Sequence, residues 1–184
     1  MDYYLDISIL PDPEFPTHVL MNALYSKLHK ALYDLRSTSI GVSFPKQKIT
    51  LGNLLRLHGK KEALQDLQNL NWIGGMSGYC MVSPFLPVPA YAKFRMVSRK
   101  QPTMSQSKLR RLIKRSSMTE GEIRQYKAKM FSKGLDSPYI DLVSGSNGQR
   151  HRRYIEFGEL LDEPTPGKFD LFGLSKTATV PWFD

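Results

Sequence analysis

The chain is poor in the residues that several common chemistries require. One cysteine, Cys80, in 184 residues excludes an internal disulfide and fits a reducing compartment. No run of apolar residues is long enough to span a bilayer, and Met1–Asp6 lacks the basic start and apolar centre of a secretory signal, so a cytoplasmic protein is expected. Four histidines, His18, His29, His58 and His151, are too scattered for zinc-finger or zincin spacing. No Gly-rich loop runs into Lys-Ser/Thr, which argues against a nucleotide-hydrolysing engine. Neither a metal nor a cofactor is therefore expected. Acids are also scarce, with 17 against 26 Lys and Arg, giving a net charge of +9 and a pI near 9.6. That imbalance favours a polyanionic partner.

What is present is concentrated. Residues 93–134 hold 13 of the 26 basic residues and only two acids, Glu120 and Glu122. At about 100° per residue, Leu109, Leu112 and Ile113 cluster on one side of a helix through 107–115. Lys108, Arg110, Arg111, Lys114 and Arg115 fan across the other. Like charges on one face repel and are best tolerated opposite a partner that neutralises them.

Apolar content of 41% marks a folded protein of one medium domain or two small ones. Tyr3-Leu5-Ile7-Ile9 alternates as a strand. Thr17 is the expected N-cap of a helix to about Leu35, with Leu20, Leu24, Leu28, Ala31 and Leu35 as its stripe. Strands are expected at 40–44 and 50–58, a helix at 60–70, and extended chain at 77–87. That order is a split-βαβ, ferredoxin-like (RRM-like) pattern. Pro84 to Ala90 is the expected boundary between an amino-terminal domain, 1–90, and a smaller α+β domain, 91–184. In the second half, Tyr91–Val97 reads as a strand. Thr119-Glu-Gly-Glu122 is a capping box opening a helix with Ile123, Tyr126 and Met130 on one side. Tyr139–Val143, His151–Phe157 and Lys168–Leu171 are strand-like, and Trp182 and Phe183 read as core.

Several stretches carry a resemblance when taken together. They are Asp2–Ile7, Pro11-Asp-Pro-Glu-Phe-Pro16, Lys27-Leu-His29, Ile40–Pro45, Val97-Ser-Arg99, the Arg-rich helix, Ser144-Gly-Ser-Asn-Gly-Gln149, Gly173-Leu-Ser-Lys176 and Val180–Phe183. In order and spacing, over essentially the whole chain, they resemble the CRISPR-associated endoribonucleases that process precursor CRISPR RNA in type I-F systems, the Csy-type branch of the Cas6 superfamily. The resemblance implies a ferredoxin-like first domain and a second domain bearing the Arg-rich helix. It implies binding of the CRISPR repeat stem-loop and one metal-independent cut at its 3′ base. The RNA's own 2′-hydroxyl attacks, leaving a 2′,3′-cyclic phosphate and a 5′-hydroxyl. The mature crRNA stays bound, and other subunits of the surveillance complex become expected partners.

The same resemblance assigns roles. His29 would be the general base, a task suited to an imidazole because it titrates near neutrality. From periodicity alone His29 reads instead as a helix-surface residue between Tyr25 and Tyr33. Ser144 would orient the ribose hydroxyl, with Ser146 and Asn147 as backbone or phosphate hydrogen-bonders. Arg99 and Gln101 would read base edges at the foot of the stem. Lys108, Arg110, Arg111, Lys114 and Arg115 would grip the stem's major groove, and His151 would stack under its terminal pair. Arg150, Arg152 and Arg153 would add to the phosphate field, and Lys176 is an expected loop lysine.

Three positions depart from relatives. Phe172 stands where a tyrosine can occur, and is expected to pack at the active site without a phenol hydroxyl. Ser116 follows the helix where a histidine can, and Lys114 replaces an Arg, losing the bidentate fork. Two other readings remain: a stem-loop RNA-binding protein that does not cut, and a helix-turn-helix DNA binder built from 107–115 and 119–133.

Overall fold

The computed structural model describes residues 1–100, 106–115, 117–135, 137–143 and 148–184, with side chains of 106–107 and 131–135 left aside. It is a mixed α/β structure built on antiparallel sheets. The first sheet uses β1 (Tyr3–Ile9), β2 (Gly41–Ser43), β3 (Leu54–Gly59) and β4 (Cys80–Val82) in the order β2-β3-β1-β4, and β5 (Leu86–Pro87) also pairs with β1. All the pairings are antiparallel, with Leu5 opposite Leu57 and Asp6 opposite Arg56.

Alternation along β1 explains how the sheet is covered. Leu5, Ile7 and Ile9 face the helix α1 (Thr17–Asp34), whose Leu20, Met21, Leu24, Tyr25, Leu28, Ala31 and Leu32 are all buried. Each such side chain contributes on the order of 1.5–3 kcal/mol when fully buried. The helix α2 (Lys61–Asn69) adds Leu64 and Leu67 to the core. The opposite face carries Tyr4, Asp6 and Arg56 and is capped by Phe183, whose ring lies 4.9 Å from that of Tyr4. With both faces covered, every residue of β3 is buried.

After β5 come β6 (Lys93–Arg95), β7 (Val97–Lys100), α3 (Gln106–Lys114), α4 (Glu120–Leu135), β8 (Tyr139–Val143), β9 (Arg150–Phe157) and β10 (Val180–Trp182). A second sheet runs β7-β9-β8, with Leu142 opposite His151 and Ile140 opposite Arg153, and β10 pairs with β6. The buried cluster is continuous from Leu5 in β1 to Ile155 in β9 and Val180 in β10.

Local signals hold in several places. The capping box forms: the Thr119 amide donates to Glu122 Oε2 at 2.7 Å and the Glu122 amide to Thr119 Oγ1 at 3.3 Å. The Thr119 amide first, and then the Thr119 hydroxyl donating to the same oxygen at 2.8 Å, hold the Glu122 carboxyl below its ordinary value. Other expectations are corrected. Pro16, not Thr17, precedes the first helical residue, and no side chain caps that end. β3 starts at Leu54, because Gly52 at φ +75° turns the chain against the Lys46 carbonyl. Gly74–Tyr79 is a 3₁₀ turn, so the extended chain expected from residue 77 begins only at Cys80. Lys168–Leu171 is no strand, whereas β10 is one. In α3, Leu109 is buried and Leu112 half-buried, but Ile113 is exposed, so the helix docks on a narrower stripe than its wheel suggests. No described helix is long and apolar enough to cross a membrane.

Candidate active site and RNA-facing surface

His29 lies on the border of the α1 stripe, one turn after buried Tyr25. Neither Tyr25 nor Tyr33 stacks on it. Its ring lies flat on Phe172, with centroids 3.5 Å apart and planes at 11°. Its Nδ1 meets the Leu171 carbonyl at 2.8 Å. A carbonyl can only accept, so Nδ1 carries the proton and a neutral ring presents the Nε2 lone pair. The packing and the tautomer of His29 are thus both set by a segment 142 residues away.

That segment, residues 168–176, is a tight turn organised by Asp170. One carboxylate oxygen, Oδ1, accepts the amides of Phe172 and Leu174, each at 2.9 Å, an Asx arrangement. Gly173 completes it at φ +70°, donating its amide to the Asp170 carbonyl. A Cβ at Gly173 would lie 2.6 Å from Val42 Cγ1, so glycine is required for conformation and for room. The turn is fastened to β2 by the Val42 amide donating to the Gly173 carbonyl, and to β7 by the Ser175 amide donating to the Val97 carbonyl. Tyr25 Oη donates to the Phe172 carbonyl at 2.6 Å. Burial and the Asp170 charge push the Tyr25 phenol up, which keeps this donor protonated.

Arg153 reaches the same ring from β9, its guanidinium carbon 3.6 Å from the Phe172 centroid. Two groups at 3.5 and 3.6 Å from one centroid cannot share a face, so Phe172 is sandwiched between His29 and Arg153. Arg153 also sits 4.0 Å from Asp170 Oδ2. Burial first, and then the charge of Arg99, lower its pKa. Arg99 in turn lines an open cleft of 470 Å³ with Arg153, Lys168 and Lys176.

Of the residues expected at the site, His29, Phe172 and Arg153 come together, with Arg99 across the cleft. His151 is exposed on β9, two residues before Arg153 and on the same side of the strand by alternation. Arg152, on the other side, pairs with Asp141 at 3.0 Å and covers the Tyr139 ring at 3.8 Å. Its charge is therefore partly committed. Lys108, Arg110, Arg111, Lys114 and Arg115 are all exposed on or just after α3. Gln101, Ser116, Ser144, Ser146 and Asn147 lie outside the described residues. Sequence reasoning missed Asp170 and the Leu171 carbonyl. The signal was an Asp followed three residues later by a Gly, a turn signature that starts within the stretch read as a strand, 168–171, and runs past its end.

Comparison with known proteins bears on the family to which the chain belongs. The family described as CRISPR-associated protein (Cas_Csy4) matches residues 4–183. The CRISPR-associated endonuclease Cas6/Csy4 of Escherichia coli (strain UTI89 / UPEC) is 43% identical over 184 residues, covering all of both chains. The protein of that name from Pseudomonas aeruginosa (strain UCBPP-PA14) is 38% identical over 187 residues, again end to end. A solved CRISPR endoribonuclease, Cse3 bound to a 19-nt RNA, aligns with a TM-score of 0.36 at 13% identity, covering 97% of this chain and 100% of that one. With a family match over nearly its whole length and end-to-end relatives above 30% identity, the chain belongs to the Cas_Csy4 family of CRISPR-associated proteins.

Proposed function

We propose that the protein is an endoribonuclease that binds the stem-loop of a CRISPR repeat and cuts precursor crRNA once at the 3′ base of the stem. The observation that carries this reading is the fixed tautomer of His29: Nδ1–H is held by the Leu171 carbonyl, leaving Nε2 as a base. Nε2 takes the proton of the 2′-hydroxyl next to the cut. The 2′-oxygen attacks phosphorus, the bond to the 5′-oxygen breaks, and that oxygen leaves as a hydroxyl by taking a proton from solvent water, to which the imidazolium returns the one it took. The products are a 2′,3′-cyclic phosphate and a 5′-hydroxyl, and no metal takes part. Such a base contributes about 10²–10⁴-fold in rate.

Ser144 orients the attacking ribose, with Ser146 and Asn147 holding phosphate or backbone. The exposed cations of α3 grip the stem, Gln101 reads a base edge at its foot, and His151 stacks beneath it. Residues 1–90 form the ferredoxin-like unit, a reading supported by the β2-β3-β1-β4 order, and 91–184 form the RNA-gripping unit. Product retention in a larger complex fits an enzyme with one base and no second acid, for which a slow single turnover suffices.

The test is single-turnover cleavage of a repeat hairpin by excess protein in EDTA, comparing wild type, His29→Ala, and a substrate lacking the 2′-hydroxyl upstream of the cut. Cleavage by wild type alone, with binding retained in both other arms, is expected. Tight binding with no cleavage by wild type would leave a non-cutting RNA-binding protein instead.

A further inference from the structure

Tyr25 is wholly buried in the α1 stripe, where an aliphatic or phenyl side chain would fill space without a polar atom to satisfy. Its hydroxyl donates to the Phe172 carbonyl at 2.6 Å, one peptide beyond the Leu171 carbonyl that accepts His29 Nδ1–H. Tyr25 and His29 stand one helical turn apart, so one face of α1 grips two consecutive carbonyls. The amide ends of both peptides are held too. The Phe172 amide donates to Asp170 Oδ1 and the Gly173 amide to the Asp170 carbonyl, each at 2.9 Å. Among the described residues, the bonds from Tyr25 and His29 are the two hydrogen bonds that join α1 to this turn.

We infer that Tyr25 is a positioning residue for the base: its hydroxyl pins the Phe172 peptide to α1 and so keeps the Leu171 carbonyl on His29 Nδ1. The catalytic consequence rests on the endoribonuclease reading; the hold on the tautomer does not. Peptide planes are rigid and these two share the Phe172 Cα, so anchoring one limits how far the other can travel. Without the phenol, the one hydrogen bond from α1 to the turn among the described residues would be that of His29 itself. The base would then have to hold its own partner in place. That partner matters most during the reaction. When Nε2 takes a proton the ring becomes a cation, and the bond from Nδ1–H to the carbonyl strengthens. A carbonyl already in place supplies this without moving, which is the advantage of a preorganised acceptor. Burial first, and then the Asp170 charge, keep the phenol protonated, so Tyr25 donates at any working pH.

The experiment uses Tyr25→Phe, which removes one oxygen and keeps the ring that packs near Phe44 and Phe172, at 6.0 and 6.4 Å. Leu67→Val, in the helix α2 that packs on β1 and β3, is the control for a core that is merely weakened. The first readout is the nitrogen-15 spectrum of the His29 ring in the free protein at about pH 8.5, where an ordinary imidazole is neutral. Signals are assigned by their loss in His29→Ala. Wild type and Leu67→Val should show a protonated Nδ1 and a bare Nε2, and Tyr25→Phe a mixture of both tautomers. The second readout is single-turnover cleavage of a repeat hairpin at saturating protein. Tyr25→Phe should cut about tenfold more slowly, while its affinity for a hairpin blocked by a 2′-deoxy at the cut stays within about twofold. Leu67→Val should match wild type in both. A protonated Nε2 in wild type would overturn the inference, as would a single Nδ1–H tautomer or an unchanged rate in Tyr25→Phe. An equal rate loss in Leu67→Val would overturn it too. Failure of wild type to cut would instead sink the endoribonuclease reading, and the tautomer spectra alone would then uphold or overturn the hold of Tyr25 on His29.

Discussion

At the residue scale, the site depends on two contacts to one side chain. His29 could be placed on α1 by periodicity, but periodicity shows only i±4 neighbours and pointed to Tyr25 and Tyr33. The ring that meets His29 is Phe172, brought in by tertiary structure, and no local pattern encodes a contact over that separation. The role proposed for His29 rests on family resemblance, not on any local pattern. Phe172 supplies an aromatic face, and a phenol is not needed for that. Phe172→Tyr should therefore cleave within a few-fold of wild type, whereas Phe172→Ala should lose about 10- to 100-fold as the imidazole loses its orientation. Single-turnover rates at saturating protein would separate this from weaker binding. Equal rates for Phe172→Ala and wild type would show that the Leu171 carbonyl alone fixes the base.

At the element scale, strong local signals were read correctly: alternation in β1, the stripe of α1 and the capping box of α4. What failed had weak or misleading chemistry. β10 is three residues long and contains Pro181, which no propensity marks as a strand. Lys168–Leu171 mixes charged and apolar residues like an edge strand, yet Asp170 captures two amides and bends it. The turn it forms should be sensitive at Gly173. Gly173→Ala forces a side chain to φ +70° and into Val42, which should cost about 1–3 kcal/mol and slow cleavage by displacing the Leu171 carbonyl. Gly121→Ala is the contrast: in α4 with open space around its Cβ, it should be neutral or stabilise by up to about 1 kcal/mol. Urea midpoints of both variants beside wild type decide this. A Gly173→Ala protein as stable and as active as wild type would mean the turn tolerates a shift in the base's partner.

For the whole molecule, the charge asymmetry was plain from composition, and it favours an anionic partner. The fastening of the carboxy terminus to the first sheet was not, because it runs through buried polar groups. Arg56 makes a two-pronged bond to Asp6 at 2.6 and 2.9 Å, donates to the Phe183 carbonyl at 2.8 Å, and lies 4.0 Å over the Phe183 ring. Beside it, buried His58 shares a 2.8 Å bond between Nε2 and Ser43 Oγ, while its Nδ1 has no hydrogen-bond partner among the described residues. Burial above all, then the charges of Arg56 and the amino terminus, hold the His58 pKa well below 6.5. The unfolded chain therefore takes up this proton first. Stability is complete above about pH 6.5 and declines as pH falls below it, by at most about 1.4 kcal/mol per pH unit for this one group. His58→Gln keeps a polar partner for Ser43 and removes the titration. It should melt below wild type at pH 7.5, and the gap should narrow at pH 5.5. The two proteins differ at this one residue, so the difference between the two melting curves isolates His58. A gap that stays constant from pH 7.5 to 5.5 would show that this buried imidazole keeps its proton balance on unfolding. Acid sensitivity would then have to come from groups other than His58.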